Sequence, residues 1–457
     1  MYRKLKKIHL VGIGGSGMCG IAEILLDSGY QVTGSDLAAT ATTDRLRELG
    51  ASVMIGHDPG RVAGADVVVV SSAVSDDNPE VAAARAQHIP VIRRAEMLAE
   101  LIRMKYGIAV AGTHGKTTTT SMIGLVLEHC GCDPTVIVGG RLRALGRHAK
   151  SGLGDLMVVE ADEFDRSFLR LSPSIAVITN IESEHLDCYG DLEQIKDAFV
   201  EFANKVPFYG TVVACLDESA VVSIIPRIER LLFTYGRSAQ ADLQLERTSH
   251  DSGSTSSLLS LRGRPLGELL LQVPGEHNIK NALAAVAVGL ELQLDYKKIA
   301  EALSRFTGVH RRTEIKGEAA GRMIVDDYAH HPTEIIATLD GLQKGWNRRI
   351  VAVFQPHLYS RTRDFHQEFG RSFMQSDILV VTEIYGAREK PVPGVSGELV
   401  AEAARKFGHR RVIYHTDLET LPGLLCEISE PGDLVVTFGA GNIYQVADRL
   451  LEKLEEI

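Results

Sequence analysis

The segment AGTHGKTTTT at residues 111–120 sets glycines, a cation and a run of hydroxyls between an apolar stretch and a helical one. Those residue types suit a phosphate chain. Gly112 and Gly115 let backbone N–H groups approach an anion, Lys116 neutralises phosphate oxygens, and Thr117 offers Mg2+ a hydroxyl. Thr113, His114 and Thr118 complete the loop, and the helix that follows aims its N-terminal dipole at the anion. The usual pattern asks for a glycine five residues before Gly115. This chain has Val110 there, so the loop is a shortened variant. The chemistry implied is the use of ATP.

Other residues sit where such a loop needs help. Glu160 ends the apolar run LMVVE, a place from which a carboxylate holds or orients Mg2+. The bland alternative for Glu160 is a solvated acidic turn, since EADEFD carries four acids, and its position at the strand end favours the metal. Asn180 and His185 close the next run in TNIESEH, and the spacing leaves His185 equally suited to a metal or to a structural role. A second glycine loop, GIGGSG at residues 12–17, follows the first apolar run. Gly12, Gly14 and Gly17 fit the dinucleotide fingerprint, with Asp36 at the end of the next run. Gly15 and Ser16 lie inside that loop. A diphosphate on the helix N-terminus and an acid near a ribose follow, without saying which nucleotide. Alone, this loop suggests a nicotinamide-dependent dehydrogenase, which leaves GTHGKT unexplained.

Near the C-terminus, VDDYAHHP places Asp326, Asp327, His330 and His331 between a strand and a helix that starts with proline. FQPHLYSRTR adds His357, Arg361 and Arg363 at another strand end. These are read as two cation-rich strand ends side by side, suited to an anionic or zwitterionic ligand. FGAGN at 438–442 reads as a structural tight turn.

The elements that must position these groups alternate. Short apolar runs such as VVVV in the 67–74 strand pattern, strands covered on both faces, recur between helical stretches, which implies α/β architecture with parallel sheets. The polar stretch 248–257 reads as an exposed hairpin loop between strands. Composition shifts set boundaries after 104 and after 312, giving domains over 1–104, 105–312 and 313–457. With 457 residues, 45% hydrophobic and 24% charged, the chain is an ordinary globular protein. A net charge of −10 argues against non-specific nucleic-acid binding. No run is long enough for a membrane span, and the basic N-terminus runs straight into a first strand. Six scattered cysteines fit reduced thiols and a cytoplasmic location.

Taken in order, GTHGKTTT, EADEFDRSF, TNIESEHLD, GEHNIKNALAA, GVHRRTE, DDYAHHPTE and FQPHLYSRTR resemble the Mur ligase family along essentially the whole chain. The resemblance implies three domains: Rossmann-like, P-loop ATPase, and Rossmann-like again. It implies an ATP-dependent ligase that joins L-alanine to UDP-N-acetylmuramate through an acyl phosphate, with Mg2+ as cofactor. A sister ligase that adds a peptide is the nearest alternative. On this resemblance Lys116, His185, His330 and Arg361 serve catalysis, and Thr117, Glu160 and His185 hold the metal. Asn278, Asn281, Arg311 and Asp326 join the loop around ATP. Gly14, Gly15, Ser16, Gly17, Asp36, Ser71, Ser72 and Ala73 hold the UDP part, and His330, His357 and Arg361 hold the amino acid. Selectivity among alanine, glycine and serine stays open, as does the oligomeric state.

Overall fold

The computed structural model describes residues 5–71, 73–142, 147–164, 166–184, 186–251, 253–387 and 389–456. Ser72, His185 and the Ser16 side chain lie outside the described residues. The chain divides into two compact units, one of residues 1–248, 257–270 and 280–306, the other of residues 249–256, 271–279 and 307–457. Among the described residues no helix is long and apolar enough to cross a membrane.

The first sheet has five parallel strands in the order Ser52–Ile55, Gln31–Asp36, Lys7–Val11, Val67–Val70 and Val91–Arg93. Val67–Val70 are all buried, and the strand stops there, short of the 67–74 span the apolar run suggests. Strand order reverses beside Lys7–Val11, so the glycine loop that leaves this strand lies at the switch point of a doubly wound sheet.

A second sheet supplies the central loop. Its strand Tyr106–Ala111 lies between Ile175–Ile178 and Leu156–Glu160, parallel to both. Thr211–Cys215 and Leu231–Gly236 continue the parallel run on one side. Beyond them lie Leu243–Asp251, Ser254–Leu261 and Arg264–Leu271. The expected loop at 248–257 is therefore mostly strand. Ser and Thr alternate there with a solvent-facing side, so the stretch looks polar while its backbone is paired. A large cluster of buried side chains in the first unit runs from Ile8 and Leu25 to Phe199 and Ile224, and a smaller one joins Val11, Val68 and Val81.

The second unit holds a six-stranded sheet in the order Glu314–Ala319, Arg322–Asp327, Leu434–Phe438, Ile350–Phe354, Ile378–Val381 and Val412–Tyr414. The first pair is antiparallel and the rest are parallel. Alternation along each strand fills both faces: Val325, Ala352 and Phe438 join one core, and Ile324, Val351 and Val435 the other. The strand Leu434–Phe438 separates Arg322–Asp327 from Ile350–Phe354. The two cation-rich strands are therefore not neighbours in the sheet, although the His330 and His357 rings that follow them meet. A strand from late in the chain comes between the two strands, because a parallel crossover need not place consecutive strands together.

Candidate functional site

The central loop is a turn that only glycine can make. Gly112 has φ 140° and Gly115 φ 81°. A Cβ on Gly112 would stand 2.0 Å from Thr179 Oγ1, and one on Gly115 would stand 2.5 Å from Asn281 Oδ1. Gly115 caps the Lys116–His129 helix from the left-handed region, so the first helical N–H groups have no acceptor within the helix. The end of the Ile175–Ile178 strand sews the loop in place. Asn180 accepts from the His114 N–H at 2.8 Å and donates to the His114 carbonyl at 3.0 Å, and the Thr179 hydroxyl donates to that carbonyl at 2.7 Å. The Glu182 N–H donates to Thr113 Oγ1 at 2.9 Å, and His114 lies 3.4 Å from the Glu182 carboxylate. On the far side Thr119 donates to Asn281 Oδ1 at 3.1 Å. Glu160 pairs in register with Val110 on the strand that feeds the loop.

Lys116 reaches back over its own loop. Its ammonium donates to the Gly112 carbonyl at 2.7 Å, the Thr113 carbonyl at 3.1 Å, and both Glu163 carboxylate oxygens at 3.0 Å. Glu163 was invisible among the four acids of EADEFD; its place three residues beyond Glu160 was the available signal. Burial pushes its carboxyl up to about 7, with Lys116 pulling the other way. Burial also acts against the Lys116 charge, but Glu163 and Asp162 outweigh it and hold the ammonium above its usual value.

The N-terminal loop closes differently. Its Gly14 N–H donates to Asp36 Oδ2 at 2.8 Å. The Gly12 and Ile13 N–H groups donate to the Ser35 carbonyl at 2.8 and 3.0 Å. Just past the neighbouring strand Val67–Val70, the Ser71 N–H donates to the Val11 carbonyl, and Ala73 is exposed. Arg94 lies over Gly17, where a Cβ would come within 2.8 Å of Nη1. Sequence spacing did not single out this cation, because it reaches the loop from a helix about eighty residues away. Beneath the loop, the Ser35 hydroxyl donates to the buried Glu80 carboxylate, which also takes the Asp58 N–H at 3.2 Å and lies 3.5 Å from His9 Nε2. Burial raises Glu80, but hydrogen bonds from His9 and Ser35 outweigh it and hold the carboxyl at about 2.

In the second unit, Arg311 and Asp326 meet each other, Nε to Oδ2 at 2.9 Å. Arg311 also donates to the Gly439 carbonyl at 2.6 Å and the Gly441 carbonyl at 3.2 Å, and lies 4.6 Å from the Tyr444 ring centre. The FGAGN segment bends away from the end of the Leu434–Phe438 strand and is pinned there by Arg311. Thr437 donates to Asp326 Oδ1 at 2.7 Å. Burial pushes Asp326 above the usual carboxylate range, with Arg311 pulling it down. Asp327 anchors the next turn by accepting the N–H groups of Thr313 and Ala329 at 2.7 Å each. That turn presents His330, whose Nδ1 lies 3.0 Å from the Tyr328 carbonyl oxygen. A carbonyl can only accept, so this contact puts a proton on Nδ1 and makes Nε2 the acceptor of a neutral ring. The His330 and His357 rings meet edge to face at 5.7 Å, and His357 stacks on Tyr385 at 5.9 Å. Arg361 lies in the first turn of the Tyr359–Ser372 helix, half-buried. Arg363 turns away to pair with Asp364 at 2.7 Å. Asn278 donates to the Pro274 carbonyl at 2.7 Å.

Three family models match the chain in series: Mur ligase family, catalytic domain, over residues 7–106; Mur ligase middle domain over 110–289; and Mur ligase, glutamate ligase domain, over 311–441. The chain belongs to the Mur ligase family. Among its relatives, a Geobacter sulfurreducens protein named UDP-N-acetylmuramate–L-alanine ligase is 54% identical over 458 residues, covering 100% of this chain and 99% of that protein. Of solved structures, the UDP-N-acetylmuramate-alanine ligase MurC of Thermotoga maritima superposes with TM-score 0.84 at 31% identity, over 98% of this chain and 99% of its own. A murein peptide ligase of Psychrobacter arcticus gives TM-score 0.71 at 25% identity, over 99% of both chains. The Mur ligase fold accounts for all three α/β domains: the Rossmann-like first, the P-loop ATPase and the Rossmann-like last. Family membership also removes the basis of the dehydrogenase alternative, since both glycine loops belong to one ligase architecture.

Proposed function

We propose that this chain joins L-alanine to the carboxylate of UDP-N-acetylmuramate, converting ATP to ADP and phosphate. The observation that carries this reading is the likeness, end to end and at 54% identity, to a ligase named for that reaction. Domain roles follow the sequence boundaries: 1–104 for the UDP part, 105–312 for ATP, and 313–457 for the amino acid.

The chemistry needs two steps. A carboxylate does not react with an amine, because oxide is a poor leaving group. The substrate carboxylate oxygen attacks the γ-phosphorus of ATP, the bond to ADP breaks, and an acyl phosphate forms. The alanine amine then attacks the acyl carbon, the tetrahedral oxyanion collapses, and phosphate leaves with its oxygen. Lys116 and the loop's N–H groups neutralise the phosphate oxygens in the first step. The Asn281 side chain stands against Gly115 and Thr119, and the family resemblance assigns it, like Asn278, Arg311 and Asp326, to ATP. His330 accepts the amine's proton at Nε2, and Arg361 with His357 holds the alanine carboxylate. Gly14, Gly15, Ser16, Gly17 and Asp36, with Ser71, Ser72 and Ala73, hold the UDP part.

Thr117 and Glu160 offer hard oxygen donors of the kind Mg2+ takes, and Glu160 stands in register beside the loop strand. With His185 they would hold the ion, which supplies charge neutralisation on the phosphates. The test is ADP release with UDP-N-acetylmuramate across a panel of amino acids and a murein peptide. Release that needs L-alanine supports the reading. Release without any amino-acid dependence, or only with the peptide, overturns it.

A further inference from the structure

An ammonium group has three hydrogens to donate. Those of Lys116 already face two loop carbonyls and the two oxygens of Glu163. The Glu163 side chain is 3% exposed and that of Lys116 17%, so this ion pair is largely withdrawn from solvent. Its backbone is fixed by bonds that leave the carboxylate out. The Glu163 carbonyl accepts the Tyr189 hydroxyl at 2.6 Å and the Arg166 N–H at 3.0 Å, and the Arg166 guanidinium lies 4.9 Å from the Tyr189 ring centre. The Glu163 carboxylate therefore faces the cation of the phosphate loop, with the Glu163 backbone N–H as a further donor to it. A phosphate oxygen would compete for the same hydrogens.

We propose that Glu163 is the resident anion of the phosphate loop, holding Lys116 in the absence of nucleotide and yielding it to the nucleotide phosphates. This rests on the reading of Lys116 as the phosphate-binding cation. A buried ammonium without a counter-charge is costly, and Glu163 removes that cost in the nucleotide-free protein. The same carboxylate then opposes nucleotide binding twice. It must release Lys116, and it stays near the incoming phosphates as a like charge. Glu163 is a positioning residue, acting through Lys116.

Calorimetry on the full chain with Mg2+ and a non-hydrolysable ATP analogue, and separately with adenosine, tests this. Glu163→Gln keeps the shape and removes the charge. It should bind the analogue about tenfold more tightly, equal to about 1.4 kcal/mol, and adenosine as the unaltered protein does. A merely structural role would shift both ligands together. Glu163→Asp keeps the charge but falls short of Lys116, and should give a smaller gain. Equal or weaker analogue binding by folded Glu163→Gln, or an equal gain for adenosine, overturns the proposal. Should Glu163→Gln fail to fold, absence of any gain in Glu163→Asp overturns it. An unaltered protein that binds no analogue instead removes the Lys116 reading itself.

Discussion

In the loop at residues 12–17 an acid closes the turn, Asp36 accepting from the Gly14 N–H at 2.8 Å. In the loop at 112–115 the turn is closed by a cation of its own, Lys116, folded back on two loop carbonyls and on Glu163. Both are strand, glycine turn and helix, and both rest near a buried glutamate. Glu80 beneath the first is held at about 2, because His9, Ser35 and a backbone N–H satisfy it. Glu163 beside the second is pushed up to about 7, because burial outweighs its single cationic partner. The first loop is a finished structural unit around a satisfied acid. The second keeps its charge in a pair with Lys116, which under the proposed function the nucleotide phosphates would displace.

Four experiments press on that contrast. The largest effect is expected from Lys116→Ala, which should lower kcat/KM for ATP-dependent ligation about a thousandfold by removing the cation at the developing charge, measured as ADP release. Full activity in this variant would dissolve the distinction between the loops. Next comes Gly112→Ala. Its Cβ would meet Thr179 Oγ1 at 2.0 Å from a φ of 140°, and strain of about 2 kcal/mol, roughly thirtyfold, should fall on ATP kinetics. A raised KM for the UDP substrate with ATP kinetics intact would contradict it.

Asp36→Asn should be milder. The loop loses a charge-assisted acceptor worth about 1 kcal/mol, and KM for the UDP substrate should rise roughly fivefold while KM for ATP stays level. The smallest effect lies in the pH dependence of stability. The Glu163 pKa is raised, so its contribution is fully present below about 4.5, its unfolded value, and is lost as pH rises through about 7. The Glu80 pKa is depressed, so its contribution is present above about 4.5 and is lost as pH falls toward about 2. Melting curves of Glu163→Gln should therefore lack part of the decline between pH 5 and 8 that the unaltered protein shows, while the acid limb is unchanged. Identical slopes in both proteins would mean that the two glutamates do not differ in the way described.

Much of the site was legible because its residues are neighbours in sequence. The phosphate loop needs glycine, lysine and threonine within a few residues, and Gly112, Gly115, Lys116 and Thr117 are where that spacing puts them. The strand-end clusters around His330 and His357 were legible for the same reason, since parallel strands deliver ligand groups at their C-terminal ends. Partners from distant segments were not. Arg94 over Gly17 and Asn180 against His114 depend on which helix or strand packs beside each loop. The strand Glu314–Ala319 was also missed, because a charged antiparallel edge strand with partly exposed faces has no apolar pattern to announce it.

By itself the sequence determined the local machinery: the two glycine turns, the helices that leave them, the alternation of strands and helices, and the family to which their order points. Local backbone sterics and periodicity fix such features within a few residues. The tertiary structure decided which charge answers which. It set Glu163 rather than solvent against Lys116, it gave Asp36 to Gly14, and it put the FGAGN turn between the two histidine-bearing strand ends. Those pairings join residues distant in the chain, and only the packing of each unit around its own buried core makes them stronger than the water they replace.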